Sequence, residues 1–316
     1  MTMLASQTQV VRDGSMKVRI YENLRTVSYA PFYIAETLGL YAKHGLQAHT
    51  VMSPSPTETA IGLMEGRIDV SFGGPMRVMM HHDQDASCPL LCFCQVVGPD
   101  PFMLIGRSPN TDFRFADLIG PTVGVMEDVP TPWLTLQDDM ARAGCDPAAL
   151  VRGPHRSMAD NVEALICGDV DVIQVMEPFA ELALSQAGTH LWHQFSTRGN
   201  VGFTSFYTTR GYFEGNDAEC AALTQAVMEA VGRIYADDAR DTAKLIAPLF
   251  PDFTPELLTN AIERYKQARI WTTDPRLNAS EFVRLKAALL SGGFISKDVS
   301  FAVAVDNRHA PGHKKN

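Results

Sequence analysis

The sequence predicts an α/β fold of two lobes, each a mostly parallel sheet flanked by helices, with a hinged cleft between them. Three observations carry that expectation. Strand-like and helix-like stretches alternate through the first two thirds of the chain, the alternation restarts near residue 122, and long helical patterns take over after residue 219. Strands alternating with helices imply parallel pairing through helical crossovers.

The elements follow in order. KVRIYEN (17–23) reads as a strand and APFYIAETLGLYAKHG (30–45) as an amphipathic helix closed by Gly45. QAHTVMS (47–53) is a strand, TETAIGLMEG (57–66) a short helix, and IDVSF (68–72) a third strand. Gly73 and Gly74 then precede Pro75, which suits the first position of a helix. LLCFCQVV (90–97) and FMLIGR (102–107) are strands on either side of the turn Gly98-Pro99-Asp100-Pro101. In the second unit, TVGVME (122–127) is a strand, PWLTLQDDMARAG (132–144) and MADNVEALICGD (158–169) are helices, VDVIQVM (170–176) is a strand and EPFAELALSQAG (177–188) a helix. After FTSFYTT (203–209), residues 219–238, 254–270 and 279–293 carry 3.6-residue periodicity.

The expected organisation is therefore a leader or tag over 1–16, the first part of lobe 1 over 17–107, and an inserted lobe 2 over 108–204. Lobe 1 is completed by a mainly helical 205–300, and 301–316 is a tail. Two crossings between lobes make a cleft, where ligands are held at domain interfaces and beyond the carboxyl ends of parallel strands.

Composition narrows the function. The chain has 316 residues and a net charge of −9, with no basic block before the final HKKN, so nucleic acid is not an expected partner. No run of about 18 apolar residues exists, so no membrane insertion is expected. The first 16 residues lack a basic n-region and an apolar h-region. As written, the chain reads as cytoplasmic; if a native leader has been replaced, it reads as periplasmic. Cys88, Cys92 and Cys94 with His81 and His82 match no strong metal-ligand spacing, so no metal and no cofactor are expected. Cys92 and Cys94 alternate on a strand and are expected to share a face, with Cys94 the thiol nearest the cleft.

Four segments carry a resemblance. YAPFYIAETLGLYAKHGLQAHTV (29–51), GLMEGRIDVSFGGP (62–75), FADLIGPTVGV (115–125) and ALICGDVDVIQVMEPFAELA (164–183) together resemble the solute-binding proteins for nitrate, sulfonates, taurine and thiamine pyrimidine precursors, across roughly residues 17–295. The resemblance implies a periplasmic-binding-protein-like fold of the second type, one small molecule in the cleft and an ABC transporter membrane component as partner. The same family includes enzymes. The yeast-type thiamine-pyrimidine synthase carries a Lys and a His where this chain has Gly73 and Arg77, and a CCCFC run where it has GFTSFY (202–207). A related desulfinase places its Cys and Arg near Thr26 and at Ser71. Neither set of functional residues is present.

Within this template the loop after the first strand supplies Asn23, Arg25, Thr26, Ser28 and Tyr29 as ligand candidates. Arg25 could take an anion in a forked geometry or stand exposed. Phe72, Gly73, Gly74 and Pro75 either let backbone N–H groups approach a ligand or merely make a tight turn. In EDVPTPW (127–133), Glu127, Thr131 and Trp133 face the cleft or form a rigid helix start. Glu177 either complements a helix dipole or accepts hydrogen bonds from an amine. Phe179 and Tyr207 complete an aromatic set expected to hold a ring. The expected role is binding of a small aromatic or heteroaromatic solute, thiamine-pyrimidine-like or an aromatic acid or sulfonate. The alternatives are a cytoplasmic enzyme on the same fold, a decarboxylase, hydrolase or lyase, or a cytosolic sensor.

Overall fold

The computed structural model describes residues 16–126 and 129–312. Glu127 and the first 15 residues of the expected leader lie outside the described residues, whereas Met16 already belongs to a strand.

Lobe 1 begins with β1 (Met16–Glu22), a short α1 (Ala30–Thr37), α2 (Leu40–Lys43) and β2 (Leu46–Met52). The single helix expected over 30–45 is two, because Gly39 adopts a left-handed conformation with φ 65° and breaks the hydrogen-bond ladder. Then come α3 (Glu58–Met64), β3 (Val70–Gly73), α4 (Pro75–Gln84) and β4 (Leu90–Pro99). Lobe 2 holds β5 (Met103–Gly106), β6 (Thr122–Val125), α5 (Thr131–Arg142), the two-residue β7 (Val151–Arg152), α6 (Met158–Cys167), β8 (Val172–Val175), α7 (Phe179–Leu184) and β9 (His190–Gln194). The chain returns through β10 (Asn200–Thr209) into α8 (Arg210–Gly215), α9 (Asp217–Ala236), α10 (Ala239–Ile246), α11 (Pro255–Gln267), α12 (Ala279–Ser291) and α13 (Phe301–Ala304).

The two sheets have strand orders β2-β1-β3-β10-β4 and β7-β6-β8-β5-β9. In each, one strand (β10 in the first, β5 in the second) runs antiparallel to its neighbours. Both lobe crossings are made beside these strands. Asn200 of β10 pairs with Pro99 of β4, and Met103 of β5 pairs with Gln194 of β9, so the two crossings leave and enter from neighbouring strands.

Aromatic packing forms the centre of lobe 1. Phe32 of α1 stacks on Phe72 of β3 at 4.1 Å, and Phe206 and Phe93 continue the cluster. All four are buried, each worth about 2–3 kcal/mol of apolar transfer. Although β4 is the last strand of its sheet, all ten of its residues are buried. The C-terminal segments cover its edge: Gln95 N donates to Pro275 O, Thr272 N to Val96 O, and Val305 bridges Cys92. Capping the open edge this way removes unpaired backbone groups. Residues 301–312, expected as a patternless tail, are part of that cover.

Cys92 and Cys94 do not share a face. Cys94 has φ 54°, which breaks the alternation of β4. Cys92 packs in a cluster with Tyr207 and Leu90, while Cys94 packs in the main core beside Phe93 and Val96. Burial pushes the Cys94 thiol up to about 12, and it lies away from the cleft.

Candidate functional site

Between the lobes lies a narrow cavity whose empty space, the open solvent at its mouth included, is about 480 Å³. Lobe 1 contributes three segments, each placed by a local rule. After β1, the chain turns through residues 23–29, where Thr26 caps a short 3-10 turn by accepting from Ser28 N. This presents Asn23, Leu24, Ser28 and Tyr29 to the cavity. The indole of Trp271 donates to Ser28 O at 2.8 Å and fixes the loop from behind. After β3, Gly74 leads into α4, whose first turn brings Met76 and Arg77 to the wall. A Cβ at Gly73 would sit 3.3 Å from Asn23 and Tyr207, so the side chain is omitted where the walls converge. The third segment is the start of β10. Gly202, at φ 65°, and successive register shifts against β4 turn Phe203 and Thr204 inward.

Lobe 2 adds Val129 and Thr131 from the start of α5 and Met176 after β8, and Phe102 comes from the first crossing. These too are braced. Gln174 donates to Pro132 O at 2.9 Å, and Phe102 N donates to the buried Asp100 carboxylate at 2.9 Å. Arg198, in the second crossing, pairs with Asp100 at 2.7 Å and with Asp139 of α5. The crossings are thus joined to each other and to lobe 2.

The wall is mostly apolar: Leu24, Met76, Phe102, Val129, Met176 and Phe203. Its ionisable groups, among the described residues, are Tyr29 and Arg77. Burial raises Tyr29 above the ordinary phenol range, and its hydroxyl faces Asn23 and Thr204. Arg77 is 7% exposed, and burial lowers its pKa, because no carboxylate among the described residues stands near enough to oppose desolvation.

Of the sequence-derived candidates, Asn23, Ser28, Tyr29, Gly74 and Thr131 line the cavity. The other candidates among the described residues lie outside the lining. Arg25 makes a forked pair with Glu22 at 2.7 and 2.8 Å, and Tyr33 donates to the same carboxylate at 2.5 Å. Thr26 donates to Glu177 O at 3.1 Å. Phe72 is in the aromatic core, Gly73 and Pro75 flank the lining Gly74, and Trp133 packs half-buried under Arg152, whose guanidinium carbon is 5.1 Å from its ring. Glu177 is fully buried, with its carboxylate on Arg264. Phe179 packs edge-on against Phe253, and Tyr207 donates to Thr59 at 2.5 Å.

Sequence reasoning passed over Leu24, Met76, Arg77, Phe102, Val129, Met176, Phe203 and Thr204. Most are apolar residues whose pattern matches a core. Arg77 carried a signal, being the third residue of a helix that starts at a Gly-Gly-Pro turn.

The comparisons with known proteins agree with this architecture. A Bacillus subtilis protein named as a binding protein, YtlA, is 24% identical over 298 residues, covering 93% of this chain and 89% of its own length. The aliphatic sulphonate binding protein SsuA of Escherichia coli superposes with a TM-score of 0.75 at 19% identity, covering 92% of each chain. The ligand-binding component of an ABC-type import system from Staphylococcus aureus superposes at 0.71 with 12% identity, covering 93% of this chain and 97% of that one. These two likenesses establish the periplasmic-binding-protein fold. The family described as NMT1/THI5 like matches residues 26–239, more than half the chain. A two-lobed α/β fold and a family match over most of both lobes lead to one assignment: the chain belongs to the NMT1/THI5-like family.

Proposed function

We propose that the protein is a solute-binding protein of the ABC-import type, holding one small aromatic or heteroaromatic molecule between its lobes and delivering it to a membrane transporter component. The observation that carries this reading is the cavity itself: it lies where the lobes meet, and both lobes and a crossing contribute apolar walls. Phe102 in the first crossing and Phe203 in β10 pack together at a tilt, 6.1 Å apart between centroids, and both line the cavity. Such walls favour a planar apolar body, and the few polar groups orient it. The relatives named as binding and import components support the transport role.

Binding rather than chemistry is favoured by the lining. Among the described residues its ionisable groups, Arg77 and a phenol pushed upward by burial, offer no acid–base pair poised near neutral pH. A thermal-shift panel of thiamine pyrimidines, aromatic acids, aromatic sulfonates, taurine and nitrate tests the reading, with mass spectrometry of each well afterwards. A compound that raises the melting temperature and is recovered intact is the expected result. Catalytic consumption of a compound would replace binding by enzymology.

A further inference from the structure

We infer that the solute is an aromatic acid carrying a hydrogen-bond donor, with its anionic group on Arg77 and its donor directed to Asn23. This rests on the cleft reading above and narrows it to one chemical class.

Arg77 is the starting point. Among the described residues, its side chain has no ion pair or hydrogen bond, yet it is 7% exposed and lines the cavity. The groups that face it electrostatically are the phenols of Tyr29 and Tyr207, neither of them ionised near neutral pH. An arginine keeps its charge in proteins, and a buried charge without a partner is costly. Two other arginines of low exposure are paired with carboxylates: Arg198 has Asp100 and Asp139, and Arg264 has Glu177 and Glu181. Among the described residues Arg77 is therefore a built cationic position without a counter-ion, open to one carried by the solute.

The second observation is independent. Asn23 Oδ1 and Thr204 Oγ1, on the same cavity, are buried and make no hydrogen bond of good geometry, although the Tyr29 hydroxyl faces both residues. Unmet acceptors of this kind are costly unless a donor arrives. An anion alone satisfies Arg77 and leaves Asn23 Oδ1 unmet. A ligand with both an acid group and an O–H or N–H satisfies both, and the apolar walls take the ring between them. A carboxylate and a sulfonate share the chemistry that Arg77 recognises.

Calorimetric titration with 4-hydroxybenzoate, 4-hydroxybenzenesulfonate, benzoate and uncharged 4-hydroxybenzamide tests this directly. The hydroxy acids are expected to bind, benzoate more weakly, and the amide weakest. Arg77→Met is expected to weaken the hydroxy acids by about 10- to 100-fold, the loss of one charge-assisted contact. Arg77→Lys is expected to retain part of the affinity, and serves if Arg77→Met does not fold. Asn23→Ala is expected to bring the hydroxybenzoate-to-benzoate ratio close to one. The preferred acid, carboxylate or sulfonate, identifies the anion. If the amide or an aminopyrimidine binds wild-type protein more tightly than the acids, or if Arg77→Met leaves acid binding unchanged, this inference is overturned while the cleft remains a ring-binding site. If no member of the panel binds, charged or neutral, the cleft reading falls with it.

Discussion

Arg264 of α11 closes on the carboxylate of Glu177, which lies between β8 and α7 of the other lobe. The rest of Glu177 is held as completely. Its N–H donates to Tyr265 Oη at 2.8 Å, and its carbonyl accepts from Thr26 Oγ1 at 3.1 Å and Val27 N at 3.4 Å. Tyr265 in turn donates to Pro101 O in the first crossing at 3.0 Å. Lobe 1 thus satisfies the polar backbone of one lobe-2 residue, next in sequence to the cavity-lining Met176.

That pairing predicts a large stability effect. Arg264→Met leaves the Glu177 carboxylate buried without its cation and is expected to cost about 3–5 kcal/mol, the range for breaking a buried pair on one side. Adding Glu177→Gln to Arg264→Met should recover part of the loss, since a neutral amide is cheaper to bury. Urea unfolding of the single and double variants checks this; equal stability of wild type and Arg264→Met would show that the pair carries no net weight.

Tyr207→Phe separates structure from ligand contact. The Tyr207 hydroxyl and Thr59 are both buried and bonded to each other at 2.5 Å, away from the cavity lining. Removing the hydroxyl should cost about 1–2 kcal/mol in urea unfolding and leave solute affinity unchanged. A clear loss of affinity would place Tyr207 back among the ligand contacts.

His193 gives the protein an acid-sensitive component. Its ring packs against Phe113, Phe115 and Phe195, and burial, followed by the charge of Arg198, lowers its pKa to about 4. An unfolded histidine titrates near 6.5. The folded chain therefore favours neutral His193, and protonation favours the unfolded chain. This contribution is fully present above about pH 6.5 and is lost as pH falls towards 4. His193→Phe should lose less melting temperature than wild type between pH 7 and pH 4.5. Parallel pH profiles for the two proteins would rule the contribution out.

The sequence made the architecture legible because alternation and helical periodicity are local signals. What it missed is equally physical. β7 has only two residues, and β9 (HLWHQ) is half-buried at every position, so neither shows a clean two-residue period. At the site, the Gly-Gly turn and the loop after β1 could be read from chain order alone. Glu177 could not, because its partner Arg264 lies 87 residues away and turns a helix-start carboxylate into an interlobe contact. Arg77 and Met76 look like an ordinary helical exterior and interior until α4 is set beside the cleft. Phe203 and Thr204 depend on a bulge that a strict strand pattern hides.

The paired crossings have a mechanical consequence. Because Pro99 is matched with Asn200 in one sheet and Met103 with Gln194 in the other, the two connections run side by side, like straps along one edge. Straps so placed resist shear and twist, and a swing about their shared line would first have to break the contacts that Glu177 makes with Arg264, Tyr265, Thr26 and Val27. For the solute proposed above, the expected residence time then depends on how often those contacts part as well as on the cavity wall.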